Sequence, residues 1–121
     1  MILEIPIRDA IYYLNRGITN SKLKNHEKAI DDFTNAIYYG SDELKKEMLI
    51  FHLRGQEYTE IGDYEKAIDD FSESIRLNPS HIKSLLMRGN AYFGAGKKDK
   101  AKEDFDEYLR YKKQLLENAM P

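Results

Sequence analysis

The six residues KAIDDF occur twice in the chain, at 28–33 and at 66–71. They belong to longer matches, because HEKAIDDFTNAI at 26–37 pairs with YEKAIDDFSESI at 64–75, and KDKAKEDFDEYL at 98–109 is a looser third copy. In each copy an alanine stands four residues before a phenylalanine, a spacing that places both on one face of a helix. The chain is therefore predicted to contain three related helical units.

An arginine-glycine pair stands upstream of each copy, at residues 16–17, 54–55 and 88–89. Glycine inside a helix costs about 1 kcal/mol relative to alanine, so glycines at three equivalent positions predict the close approach of a second helix. Each unit is then a pair of antiparallel helices. We expect the small alanine of the following helix to be the partner of each glycine: Ala29, Ala67 and Ala101.

These spacings resemble the tetratricopeptide repeat (TPR), a 34-residue helix pair with the pattern W-x2-L-G-x2-Y, then A-x3-F, then P. The second unit follows the pattern most fully, with Phe51, Gly55, Tyr58, Ala67, Phe71 and Pro79. The third unit has Lys113 in place of the proline, and the first has Asn20 and Ser41 in place of the tyrosine and the proline. The resemblance covers about residues 10–115. It implies an all-α fold, an α-solenoid of three antiparallel helix pairs (a TPR array) wound as a right-handed superhelix.

The first two glycines are 38 residues apart and the next two are 34 apart. Nothing from Asp42 to Gly62 breaks a helix, so the four extra residues predict that the first helix of the second unit is longer by about one turn. Pro6 is expected to exclude a regular helix at the N-terminus. The predicted helices are 9–23, 26–39, 42–61, 64–77, 80–95 and 98–118. The chain divides into an apolar N-terminal segment, 1–8, and three repeats, 9–43, 44–81 and 82–121.

The composition argues against several kinds of chemistry. The 121-residue chain has a formal net charge of −2 and no cysteine, which excludes disulfides, thiolate metal sites and cysteine nucleophiles. Its histidines, His26, His52 and His81, do not share the spacing of a helical metal site. No apolar run is long enough to span a bilayer, and a signal peptide is not expected. We therefore expect a cytoplasmic protein that is not an enzyme, has no cofactor or metal, and binds neither nucleic acid nor membranes.

A charge pattern also repeats, because each of the three arginines precedes an aspartate by 16 residues. This spacing predicts structural ion pairs between helices. The sequence leaves open whether each arginine meets the aspartate of its own unit or that of a neighbour. The pairs are Arg16 with Asp32, Arg54 with Asp70, and Arg88 with Asp104.

The resemblance also implies where a ligand would bind. In the family, the first helix of each repeat lines a concave groove that holds an extended peptide or a helix, and some of its residues are expected to be core instead. The predicted function is a protein–protein interaction module, an adaptor or chaperone-like scaffold, with a self-associating structural unit as the alternative. The groove residues carried over are Ile11, Leu14, Asn15, Ile18, Leu49, His52, Leu53, Gln56, Lys83, Leu86, Met87, Asn90 and Phe93.

One branch of the family clamps the C-terminal carboxylate of chaperones with lysine, arginine and asparagine side chains. Four of the five corresponding residues are apolar here, so binding of that tail is not expected: Leu14, Ile18, Leu53, Lys83 and Met87.

The two ends of the chain carry apolar residues that need cover. Ile2, Leu3, Ile5 and Ile7 precede the first predicted helix, and the last helix carries an apolar stripe. Because each unit of a repeat array exposes an apolar face to its neighbour, we predict a homodimer through the last helix, with Leu115 and Leu116 in the interface.

Overall fold

The structure is a computed structural model that describes residues 5–120, with side chains described from residue 9. Over this range the chain forms seven α-helices and no strand: α1 (Ile5–Lys22), α2 (His26–Tyr39), α3 (Asp42–Glu47), α4 (Ile50–Glu60), α5 (Tyr64–Leu77), α6 (Lys83–Gly94) and α7 (Lys98–Ala119). The pairs α1–α2, α4–α5 and α6–α7 pack together, and α2 against α4 and α5 against α6 join one pair to the next. The predicted all-α array of three helix pairs is confirmed.

The helix boundaries follow the sequence closely except at the first helix and over residues 42–61. α1 begins at Ile5, although Pro6 was expected to exclude a helix there. Proline is accepted in the first turn because its missing N–H group would have no intrahelical partner at that position. Of the apolar N-terminal segment, Ile2 and Leu3 lie outside the described residues, and the side chains of Ile5 and Ile7 are also outside the description.

The continuous helix predicted for 42–61 is not observed, so the extra residues of the second unit do not lengthen its first helix. They form the separate short helix α3, and the chain turns at Leu49, which adopts a left-handed conformation with φ 53°. Leu44 and Leu53 both pack against the buried cluster that contains Phe33. In a continuous helix a separation of nine residues would put the two leucines on opposite faces. The left-handed residue costs about 1–2 kcal/mol, and the burial of Leu44 offsets that cost.

The glycines do mark close approach, but the partner is a phenylalanine and not the predicted Ala29, Ala67 or Ala101. A methyl group added at Gly17 would lie 2.7 Å from the ring of Phe33, and one at Gly55 would lie 2.8 Å from Phe71. The third unit repeats the contact between Gly89 and Phe105, at 2.6 Å. Each distance is far below van der Waals contact, so a phenyl ring rests directly on the glycine backbone in every unit.

The predicted ion pairs are present, and each arginine pairs within its own unit. Arg54 donates from Nε and from Nη2 to the two oxygens of Asp70, both at 2.7 Å. Arg88 makes the same two bonds to Asp104 at 2.8 Å. The two aspartates are buried, and these bidentate, charge-assisted bonds compensate for the loss of their hydration.

The first unit holds its buried aspartate differently. Arg16 donates to a single oxygen of Asp32, at 2.9 Å from Nε and 2.7 Å from Nη2. The other oxygen accepts from Nδ2 of Asn20 at 2.8 Å. Asn20 stands where the family pattern has tyrosine, so this departure from the pattern gives Asp32 a second donor.

We predict that Gly55→Ala destabilises the protein. Overpacking against Phe71 costs about 1–3 kcal/mol, and the better helix propensity of alanine returns about 1 kcal/mol, so the free energy of unfolding should fall by about 1 kcal/mol. Urea unfolding measures it. Because the clash is with the ring, Phe71→Leu should make the added methyl group much less costly. Gly62→Ala is the control, since Gly62 has φ 80° and no neighbour within 4 Å, and Phe71→Leu should leave its cost unchanged.

We predict that Arg54→Ala destabilises the protein more than Arg16→Ala. The first change leaves Asp70 buried with no cation, a loss of about 3 kcal/mol, whereas Asn20 continues to donate to the aspartate after the second. Urea unfolding of both variants, and of Arg54→Ala combined with Asp70→Ala, tests this. The double variant should regain part of the loss, and equal losses for the two single variants would contradict the assignment.

Candidate functional site

The first helices of the three units, α1, α4 and α6, together border a cleft of about 440 Å³. Its lining combines polar side chains with one half-buried thioether: Ser21, Lys24, His26, Gln56, Glu57, Thr59, Glu60 and Met87. A cleft bordered by one helix from each unit is the kind of surface that the resemblance implied.

The cleft lies about one turn further along the helices than the predicted groove. Of its lining residues only Gln56 and Met87 were among those carried over from the family. Ser21 lies three residues after Ile18, and Glu60 lies four after Gln56, so both belong to faces that the prediction had already named. Extending each face by one turn would have found them.

A buried carboxylate forms part of the cleft wall and ties the first two units together. Glu57 of α4 accepts a hydrogen bond from Oγ of Ser21 at 2.8 Å. Its other oxygen lies 2.8 Å from Nδ1 of His26, at the start of α2. Both carboxylate oxygens therefore have partners inside the protein. The neighbouring Lys24, Gln56, Glu60 and Met87 side chains also line the cleft and are not fully buried.

The thirteen predicted groove residues fall into three classes of exposure. Five are exposed at the surface: Ile11, Asn15, Lys83, Asn90 and Phe93. Six are half-buried: Ile18, Leu49, Leu53, Gln56, Leu86 and Met87. Two are buried, with exposed fractions of 2% and 4%, and cannot contact a ligand in this structure: Leu14 and His52.

The burial of these two residues has clear causes. Leu14 belongs to the core cluster of the first unit, which also contains Phe33 and Ile50. His52 enters a polar network centred on Ser84, which is fully buried. The Ser84 hydroxyl lies 2.9 Å from Nδ1 of His52 and 3.0 Å from Nδ1 of His81. The predicted ligand-binding role is therefore wrong for Leu14 and His52, both of which are structural.

The buried network favours neutral imidazoles. Burial lowers the pKa of His52 from 6.5 to about 4, with smaller contributions from His81 and Lys83. Burial also lowers the pKa of His81, and Lys83 adds to the effect. The Ser84 hydroxyl has one hydrogen to donate, so the remaining groups around it, including Ser74 Oγ at 2.9 Å, must donate to it or share that hydrogen. An additional proton on either ring would leave an unbalanced charge inside the array.

The described part of the chain was predicted to hold no metal site and no membrane-spanning helix. Over residues 5–120 there is no group of three or more histidine, cysteine or acidic side chains that could hold a metal ion. None of the helices in that range is both long enough and apolar enough to cross a bilayer.

Comparison with known families agrees with the repeat pattern. One family model of the tetratricopeptide repeat matches residues 49–81, and a second model of the same repeat matches 10–39 and 82–115. The chain belongs to the tetratricopeptide repeat family. Its three TPRs coincide with the three helix pairs. No curated protein matches this chain significantly.

Several solved TPR structures are similar to this one. The second TPR of Spaghetti (RPAP3) bound to the HSP90 peptide SRMEEVD is 31% identical, with a TM-score of 0.74 over 84% of this chain and 85% of that chain. The second TPR domain of human RPAP3 in complex with the HSP70 peptide SGPTIEEVD is 31% identical, with a TM-score of 0.77 over 95% of this chain and 88% of that chain. MamA is 25% identical, with a TM-score of 0.79 over 89% of this chain, and the match spans only 61% of MamA.

We predict that His52 makes the TPR array less stable in acid. Its pKa is about 4 when folded and about 6.5 when unfolded, so between these values the unfolded state binds more protons. The contribution of neutral His52 to the free energy of unfolding is fully present above about pH 6.5, and about 3 kcal/mol of it is lost as the pH falls to 4. Urea unfolding from pH 7.5 to pH 4 measures this slope.

The variant His52→Gln should flatten that slope, and His81→Gln should flatten it further in combination. Comparing slopes between variants removes the background titration of the carboxylates. A wild-type slope that His52→Gln leaves unchanged would show that the buried imidazole does not control the pH dependence.

Proposed function

We propose that the cleft between α1, α4 and α6 binds a segment of another protein, and that the chain acts as an adaptor. TPR domains mediate protein–protein interaction, and the RPAP3 domains to which this chain is similar carry bound peptides. The observation that carries the proposal is the cleft itself, which has a volume of about 440 Å³ and is bordered by the first helix of each repeat.

The apolar side chains that the three first helices leave exposed or half-buried favour an apolar ligand. Leu53 and Met87 occupy the same position in the second and third repeats, and both are half-buried with a face left open. Ile11 and Phe93 are exposed on the outer two first helices. A ligand side chain that covers these residues gains about 25 cal/mol per Å² of apolar surface removed from water. Gln56 and Asn90 provide polar contacts between the apolar ones, so a segment with large apolar side chains and a polar backbone or rim is the best fit.

The same residues argue against recognition of an acidic chaperone tail. The peptides bound by the two RPAP3 domains both end in Glu-Glu-Val-Asp. At the positions that carry the carboxylate clamp in that branch of the family, this chain has one cation, Lys83, and four apolar residues. Leu14, one of the four, is buried in the core. A carboxylate at such a site would lose its hydration without gaining enough charged partners.

We predict that Leu53→Glu removes peptide binding without unfolding the protein. Displayed random peptides selected on the wild type should converge on sequences with large apolar side chains, and a selected peptide should lose at least tenfold in affinity for the variant, as measured by fluorescence anisotropy. Met87→Glu should have the same effect. Tyr38→Glu is the matched control, because Tyr38 is 79% exposed on α2, away from the cleft, and should bind normally.

The peptide SRMEEVD directly tests the alternative that this chain recognises an acidic chaperone tail. We expect it not to displace the selected peptide. Displacement by SRMEEVD that is lost in Lys83→Ala would replace the apolar mode by carboxylate recognition, and unchanged affinity in a folded Met87→Glu variant would rule out the cleft, which Met87 lines.

A further inference from the structure

The same arginine–hydroxyl hydrogen bond recurs at both internal junctions of the array. Arg54 donates from Nη1 to the hydroxyl of Thr34 in the first repeat, at 3.1 Å. Arg88 donates from Nη1 to the hydroxyl of Ser72 in the second repeat, at 3.2 Å. Thr34 and Ser72 each directly follow the phenylalanine of their repeat. The arginine that pairs with its own aspartate therefore also reaches a fixed acceptor position on the preceding repeat.

The third repeat presents the same acceptor position without a partner repeat in the described structure. Asp106 directly follows Phe105, and its side chain is exposed and contacts Lys102 at 2.7 Å. Leu109 stands where Ile37 and Ile75 are half-buried, and it is 59% exposed. The outer face of α7 thus offers an acceptor and an apolar residue at the two positions that a following repeat covers on α2 and α5.

The first repeat presents the matching donor face. The side chain of Arg16 is 49% exposed, against 17% for Arg54 and 22% for Arg88. Its Nη1 donates to the hydroxyl of Tyr12 in the same helix at 3.0 Å, and not to a preceding repeat. Tyr12 is 57% exposed, although its counterparts Ile50 and Ser84 are completely buried against the preceding repeat. α1 therefore carries a cation, Arg16, and an aromatic ring, Tyr12, at the two positions where α4 and α6 contact the preceding repeat.

We propose that a second copy of this chain stacks on α7 head to tail, with its Arg16 on Asp106 and its Tyr12 over Leu109. The register agrees with the internal junctions. In the antiparallel contact of α2 with α4, Ile50 precedes Arg54 by four residues, while Ile37 follows Thr34 by three. Tyr12 likewise precedes Arg16 by four residues, and Leu109 follows Asp106 by three.

The charges at this junction are complementary, and the junction is polar enough to be reversible. A guanidinium donating to a carboxylate forms a stronger bond than the arginine–hydroxyl bonds inside the array. Lys102 opposes tight packing, since it stands where Ile30 and Ile68 are buried, and its ammonium must remain in water at the rim. A head-to-tail contact does not close on itself, so the expected products are open chains whose length rises with concentration.

The two faces can be blocked separately, which gives a direct test. Asp106→Arg places a cation against Arg16, and Tyr12→Glu places a carboxylate over the apolar Leu109, where it would lose its hydration without a partner. Both residues are exposed, so circular dichroism should show that each variant folds. In sedimentation velocity over a concentration series, the wild type should form species beyond a dimer, and each single variant should remain a monomer. An equimolar mixture of the two variants should form dimers and nothing larger, because one intact face of each kind is left.

The controls separate this junction from other forms of association. Tyr38→Glu should associate like the wild type, because its tyrosine is exposed outside both faces. Asp106→Ser, which restores a hydroxyl like that of Ser72, should associate at higher concentration only.

A wild type that stays monomeric, or a mixture of the blocked variants that stays monomeric, would overturn the proposal. Association that persists in both blocked variants and is lost in Leu115→Lys combined with Leu116→Lys would also overturn it, in favour of a symmetric dimer through the end of α7.

Discussion

The contact of a phenyl ring with a glycine backbone is the constraint on which the rest of the array depends. In each unit the ring of Phe33, Phe71 or Phe105 lies so close to a glycine that a methyl group would not fit between them. This contact sets the distance between the two helices of a unit. Only at that distance can an arginine one residue before the glycine reach the aspartate one residue before the phenylalanine. The buried ion pair is therefore a consequence of the apolar contact, and both are repeated because both follow from the same short sequence.

The arginine of the ion pair also holds neighbouring units together. One edge of its guanidinium neutralises a buried aspartate inside the unit, and its remaining nitrogen donates to Thr34 or Ser72 of the unit before. A single side chain thus couples the packing of a helix pair to the stacking of pairs, which is how a solenoid with only nearest-neighbour contacts becomes cooperative. Other links between units are particular to one junction. Glu57 bonds Ser21 and His26 at the first, and the Ser84 network joins His52 to Ser74 at the second.

The sequence predicted the features that repeat and missed those that depend on one tertiary environment. The bounds of α2 and α5 were predicted correctly because KAIDDF and its neighbours recur in phase. The break at Leu49 could not be predicted, because local propensity favours a continuous helix there. The break is stabilised by the packing of Leu44 against the cluster around Phe33, which is distant in sequence. The burial of His52 depends on Ser84, 32 residues away. For the groove, the family pattern did not reveal that Leu14 fills the core or that the cleft includes Ser21 and Glu60.

The proposed binding cleft and the proposed stacking faces can operate together because a helix turns by about 100° at each residue. On α1, Ser21 lines the cleft. Tyr12 and Arg16 lie roughly 140–180° away from it around the helix, on the outer side that α4 and α6 use to meet the preceding repeat. A ligand bound along the cleft need not disturb a neighbouring copy stacked on α7. Stacking would instead place the first helix of one copy beside the last repeat of another, so that the clefts follow one another along the chain of copies. A partner with several apolar segments would then bind a stack more tightly than a single copy, since each bound segment raises the effective concentration of the next.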